Sequence, residues 1–268
     1  MTRMRLRASL SSSVLPIAGL AVGFVVWEVI GRLGLSPAFP PLTDVLTACA
    51  EVWTSERFLT NLKDSLISVG IALPPTMILG ILVGLLVGRY RIAEWALDVY
   101  INTFLSIPLV ALIPVLVLIF GLGRGSVLAT IAIYTFFVLV VNTSFGVKTA
   151  DASLIEMARS FMGSERRIVR RIVLPAAMPL TLAGVRIATG RAIKGVIIAE
   201  QVIGLIGLGG MIQRLGGAFR VEELYATILA IGFLGLVSME LVRWGERLAM
   251  PWMRGRPERE PSPAANTA

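Results

Sequence analysis

Ser65–Gly88 reads SLISVGIALPPTMILGILVGLLVG, 24 residues without a charge. An α-helix rises about 1.5 Å per residue, so a run of this length covers the roughly 30 Å of hydrocarbon in a bilayer. A helix apolar on every side belongs in a large core or in lipid. Composition decides for lipid: 56% of the 268 residues are apolar, 16% are charged, and the mean hydropathy is +0.81.

Working outward, 25 uncharged residues separate Asp98 from Arg124, and 23 separate Arg124 from Lys148. Shorter runs at Ser11–Leu33, Leu182–Ile203 and Leu224–Val242 complete six expected spans. The expected fold is an all-α polytopic membrane protein with about six transmembrane helices. Residues 1–10 read as a cytoplasmic N-terminal tail, 11–59 as the first transmembrane helix and its outer connector, 60–250 as the transmembrane core, and 251–268 as a disordered cytoplasmic tail. The first run follows Arg3, Arg5 and Arg7 but has no small-x-small cleavage site, so it reads as a retained helix.

Charge placement orients the chain. With the N-terminus inside, sixteen of the 25 lysines and arginines fall in inner segments, six outside and three in the fifth span. That is the positive-inside bias, and it puts both termini in the cytoplasm. The net charge of +8 therefore reports membrane orientation, not nucleic-acid binding.

Chemistry is largely excluded. There is no histidine, and Cys49 is the single cysteine, so no imidazole catalysis, disulfide or metal site is expected. No nucleophile–base pair can be assembled, and no cofactor is implied. Gly204, Gly207, Gly209, Gly210, Gly216 and Gly217 cluster between the last two spans. They lack the Gly-Lys-Ser/Thr ending and the preceding strand of a phosphate loop, so they read as an outer-leaflet re-entrant turn or gate.

Several residues are candidates for packing or for a path. Gly80, Gly84 and Gly88 line one face of the second span for close helix approach. Pro108 and Pro114 interrupt the third span, as broken helices do along translocation pathways. In the fifth span, Arg191 and Lys194 lie three apart and share a helix face suited to an anion. Glu200 joins them as a path candidate or as an internal partner for Lys194, and Arg186 reads as snorkelling to the cytoplasmic surface.

The cytoplasmic loop between the fourth and fifth spans carries the most specific pattern. From Glu156 it runs Met157, Ala158, Arg159, Ser160, Phe161, Met162, Gly163, and on through two arginine pairs to Ile172, Val173, Leu174 and Pro175. Ile155, Ala158, Met162 and Val169 form an apolar stripe at helical spacing. This stretch resembles the Glu-Ala-Ala signature loop of ABC importer permeases. Ile172 and Leu174-Pro175 stand in register, Met157 replaces the first alanine, and Met162 occupies the signature glycine's place with Gly163 one residue later. A glycine shifted by one residue can still supply the positive φ that ends the first short helix.

The resemblance implies a cytoplasmic coupling helix whose residues Glu156, Ala158, Arg159, Gly163, Ile172, Leu174 and Pro175 engage an ABC ATPase subunit. It also implies a second permease copy as a homodimer, a periplasmic or lipoprotein solute-binding protein, and residence in the bacterial inner membrane. Further similarity at Pro108–Pro114, Gly184–Ala192 and Ala199-Glu200 with Gly207–Gly209 points to the branch importing sulfonates, taurine and nitrate. A stand-alone secondary transporter or channel is the alternative, and it has no use for a docking loop at Glu156–Pro175. An integral-membrane enzyme would need convergent polar groups that the sequence lacks.

Overall fold

In lipid no water is available to pair backbone N–H and C=O groups, so each apolar run must satisfy its own. The computed structural model describes residues 18–249, and among these residues every regular element is helical. The expected tails at 1–10 and 251–268, and the start of the first span at Ser11, lie outside the described residues.

In chain order, α1 covers residues 18–32, followed by α2 (Leu42–Thr54), α3 (Glu56–Arg89), α4 (Arg91–Ser106), α5 (Leu109–Phe120) and α6 (Arg124–Lys148). Then come α7 (Ala152–Ser160), α8 (Glu165–Ile168), a π turn (Val169–Val173), α9 (Leu174–Ile203), α10 (Gly207–Gly217) and α11 (Val221–Ala249). Four continuous helical stretches, Glu56–Arg89, Arg124–Lys148, Glu165–Ile203 and Val221–Leu248, are long and apolar enough to cross a membrane. The third expected span is not one helix. Pro108 cannot donate a backbone bond, and the chain breaks between α4 and α5 there, so these two make a fifth crossing only if counted together. Pro74, Pro75, Pro114 and Pro179 lie inside continuous helices.

The contacts group the chain into two units. The first takes the described residues up to Ala72, with Ile107–Ala132 and Ile193–Leu234. In it α2 lays Val45, Cys49 and Val52 against Leu208, Met211 and Leu215 of α10 and Ala226 and Ala230 of α11. The Trp53 indole N–H donates to the Ala226 carbonyl at 2.9 Å, so its polar atom is satisfied while the ring stacks on Phe233. Burial pushes the Cys49 thiol above its ordinary range, which makes it a packing residue rather than a nucleophile.

The second unit takes Leu73–Ser106, Ile133–Ala192 and the described residues from Gly235 onward. Here the glycine face of α3 meets α6: a Cβ at Gly80, Gly84 or Gly88 would lie 2.8, 2.6 and 2.6 Å from Leu139, Thr143 and Val147. Hydrogen at those three positions is what lets the two helices approach, so the glycine repeat serves packing within one chain. A second cluster, of Val147, Ile168, Val173 and Ala177, closes under the α7–α9 loop.

Candidate functional site

The loop is built from its caps inward. The Asp151 carboxylate accepts from both the backbone N–H and the hydroxyl of Ser153, each at 2.8 Å, and opens α7 as an N-cap. Those bonds favour the ionised form and hold Asp151 below the usual carboxylate range. Ile155 and Ala158 turn inward onto the Val147–Ala177 cluster, and no residue of α7 is fully buried.

The exit from α7 differs from expectation. Met162 itself adopts the left-handed conformation, with φ 56°, and Gly163 does not. The Met162 N–H donates to Arg159 O and the Gly163 N–H to Ala158 O, both at 2.9 Å, which is the paired-bond helix ending usually led by glycine. A Cβ at Gly163 would sit 2.6 Å from Ala158 O, so glycine is needed there for space, not for φ. Met162 is 94% exposed and Phe161 82%, so the expected stripe loses Met162, and Ile168 is buried where Val169 was expected. Leu154 and Met157 are exposed beside Glu156.

Beyond the turn, Glu165 is gripped by Arg89 at 2.5 Å and Arg159 at 2.7 Å. This engages Arg159 within the loop and ties α8 back to the end of α3. The π turn follows, closed by the Leu174 N–H on Val169 O. It spans the carbonyl of Arg171, four residues before Pro175, where a regular helix would clash with the proline ring. Of the expected coupling residues, Glu156 faces outward, Ala158 and Ile172 face the core, Leu174 is half-buried, and Pro175 opens α9.

On α9 the four ionisable residues part company. Arg186 makes a two-pronged pair with Glu246 of α11 through its guanidinium and keeps part of its side chain exposed. Arg191 lies over the Tyr134 ring, 5.2 Å from its centroid, a cation–π contact in place of a carboxylate. Lys194 is exposed, and among the described residues neither Arg191 nor Lys194 pairs with an acid.

Glu200 is used otherwise than expected. It is 0% exposed, its Oε2 accepts from the Ser65 hydroxyl at 2.7 Å and from the Gly209 N–H at 3.1 Å, and Lys194 is not its partner. Ser65 in turn accepts from the Leu208 N–H at 2.9 Å. Glu200 and Ser65 therefore cap the first turn of α10, where a carboxylate complements the positive end of the helix dipole. Gly207, at φ 71°, leaves room for that carboxyl, which any Cβ would overlap. The glycine cluster is thus mostly a buried short helix, not an irregular turn, with positive-φ glycines at 204 and 207 leading into it. Pro108 stands exposed at the α4–α5 break, and Pro114 is exposed on α5.

Sequence reasoning missed Leu154, Phe161 and Met162 as outward groups, since apolar residues carry no mark of which side they take. Ser65 was hidden for a different reason: its partners lie 135 and 143 residues away.

Long apolar helices interrupted by a capped, arginine-flanked loop are the pattern already matched to importer permeases. Residues 55–255 match the family described as binding-protein-dependent transport system inner membrane component. The chain belongs to this family. This permease is 30% identical over 258 residues to the taurine transport system permease protein TauC of Escherichia coli (strain K12), covering 93% of this chain and 94% of TauC. It is also 30% identical over 235 residues to SsuC of Bacillus subtilis (strain 168), provisionally named an aliphatic sulfonates transport permease protein, covering 87% and 85%. A chain of the MetNI methionine ABC transporter in an inward-facing conformation shares the fold, with a TM-score of 0.61 at 18% identity, over 73% of this chain and 99% of that one. The permease is a membrane-spanning transport subunit and not an enzyme.

Proposed function

We propose that this permease forms half of a translocation path for a small anionic nutrient, of the sulfonate, taurine or nitrate kind, and docks a cytoplasmic ATPase through α7. The end of α7 carries the reading: Ile155 and Ala158 fasten the helix from inside, while Leu154 and Met157 on the helix and Phe161 and Met162 on its doubly hydrogen-bonded closing turn are presented outward. Exposed apolar groups on a rigid, charged loop between two spans fit a protein partner. Such a helix passes partner closure into the membrane as a rigid-body movement. The names of TauC and SsuC support the solute class, and Arg191, stacked on Tyr134 without an acid, supports an anion. A homodimeric second copy and an outer solute-binding protein complete the assembly, with both termini and the α7 loop in the cytoplasm.

The test is reconstitution of the permease with a cognate ABC ATPase and solute-binding protein, and uptake of labelled taurine, an alkanesulfonate and nitrate. We expect ATP-dependent uptake of one of them. Lys194→Met should slow that uptake while ATPase co-purification stays unchanged. Uptake by the permease alone, driven by an ion gradient, would instead identify a secondary transporter.

A further inference from the structure

We propose that the arginine face of residues 164–171 holds the phosphate of an anionic phospholipid headgroup. Ser164, Arg166, Arg167, Arg170 and Arg171 line an open cleft of about 640 Å³. All four guanidinium groups belong to exposed residues, and among the described residues none of them pairs with a carboxylate. Glu165, the acid within this stretch, is occupied by Arg89 and Arg159. Four uncompensated like charges repel one another, so the cleft is arranged for an anion that is supplied from outside.

The backbone keeps the arginines together. Positions 166, 167, 170 and 171 fall on one side of the helical path, while Ile168 and Val173 fill the core on the other. Arg170 follows Arg166, and Arg171 follows Arg167, by four residues, about one helical turn, as α8 passes into the π turn over Val169–Val173. Single π turns recur at functional sites. Planar guanidinium forks suit phosphate oxygens in pairs, as lysine ammonium groups do not.

Location selects the source of the phosphate. Arg171 stands three residues before Leu174, where the regular helix of a membrane-crossing stretch begins, and basic groups at a span's edge meet the headgroups. The cleft contains no apolar anchor, whereas the cores of protein interfaces are depleted in charge. The apolar groups suited to a protein partner are on α7 and its closing turn instead. This inference rests on α9 crossing the membrane and is independent of the transported solute.

Native mass spectrometry of the full-length purified permease, titrated with phosphatidylglycerol and with phosphatidylcholine of the same acyl chains, tests it. Phosphatidylglycerol should be retained preferentially, the preference should fall as salt is raised, and R170Q/R171Q should weaken it about tenfold or more. The R170K/R171K pair, which keeps the charge, should retain more lipid than the glutamine pair. The salt series needs no substitution, so it reads the site even if a variant assembles poorly. Equal retention of both lipids overturns the proposal. So does displacement by millimolar inorganic phosphate without any lipid preference. Loss of ATPase co-purification in R170Q/R171Q with undiminished phosphatidylglycerol binding would assign the face to the ATPase and equally overturn it.

Discussion

α7 and α10 are both short helices set between long apolar ones, and they end alike. Each closes with paired bonds around a bulky left-handed residue, Met162 after α7 and Phe219 after α10, with the Phe219 N–H on Gly216 O and the Arg220 N–H on Leu215 O. Their surroundings are opposite. α10 buries Gly207, Leu208, Gly209, Gly210, Met211 and Leu215, whereas α7 buries nothing completely. Their openings differ too: α10 is capped by a buried glutamate seven residues before its start, and α7 by its own exposed Asp151. One turn chemistry thus serves both a packed element and a presented one, and burial of the helix body decides which.

The sharpest way to break this contrast is at the buried cap. Gly207→Val should abolish the seating of α10, because a Cβ there overlaps the Glu200 carboxyl and a branched residue resists positive φ. We expect a loss of more than about 3 kcal/mol, read as failure to recover folded permease from membranes. A yield and melting temperature equal to the parent would refute the cap.

Glu200→Ala is the next step down. It leaves the Ser65 hydroxyl and the Gly209 N–H without their acceptor in a buried site, at a cost of about 2 kcal/mol in thermal unfolding. An unchanged melting temperature would mean that water replaces the carboxylate.

At the presented helix the sign reverses. Met162→Gly removes the strain of a side chain in the left-handed region and should stabilise the turn by about 0.5–1 kcal/mol after the entropy of glycine is subtracted. The same change removes a 94%-exposed apolar group, so it should weaken ATPase co-purification. Destabilisation together with unimpaired docking would contradict both halves of that statement.

The smallest effect is one of pH. Because the folded pKa of Asp151 is depressed, its contribution is fully present above the unfolded value of about 3.9 and is lost as pH falls through the folded one. Protection of the α7 amides, taken as the intrinsic exchange rate at each pH over the observed one, should therefore fall only at acid pH. Asp151→Asn, which retains an acceptor that does not titrate, should remove the pH dependence, and persistence of the dependence in Asn would point to another group.

Much of this was legible in the residues themselves. Charge-free runs dictate helices in lipid because unpaired backbone is too costly there, and they mark α3, α6, α9 and α11 without any knowledge of contacts. The Gly80, Gly84, Gly88 repeat announces a close approach because its period matches one helix face, though not that α6 is the partner. The signature loop locates α7 and Pro175 because a cap, a turn and a proline each leave a local mark.

What the tertiary structure alone decided lies where a residue's role depends on what comes to meet it. Glu200 reads as a pathway charge or a partner for Lys194 until Ser65 and the start of α10 arrive beside it, and no residue near Arg186 in the sequence names Glu246 as its partner. Met162 takes the positive φ that a glycine was expected to supply, because the two capping bonds and the core beneath Ile155 and Ala158 hold the turn in place. Periodicity specifies helices because their bonds are local, within four residues; the partners of a buried charge are set by packing between segments far apart in the chain, and that information is carried by no single stretch.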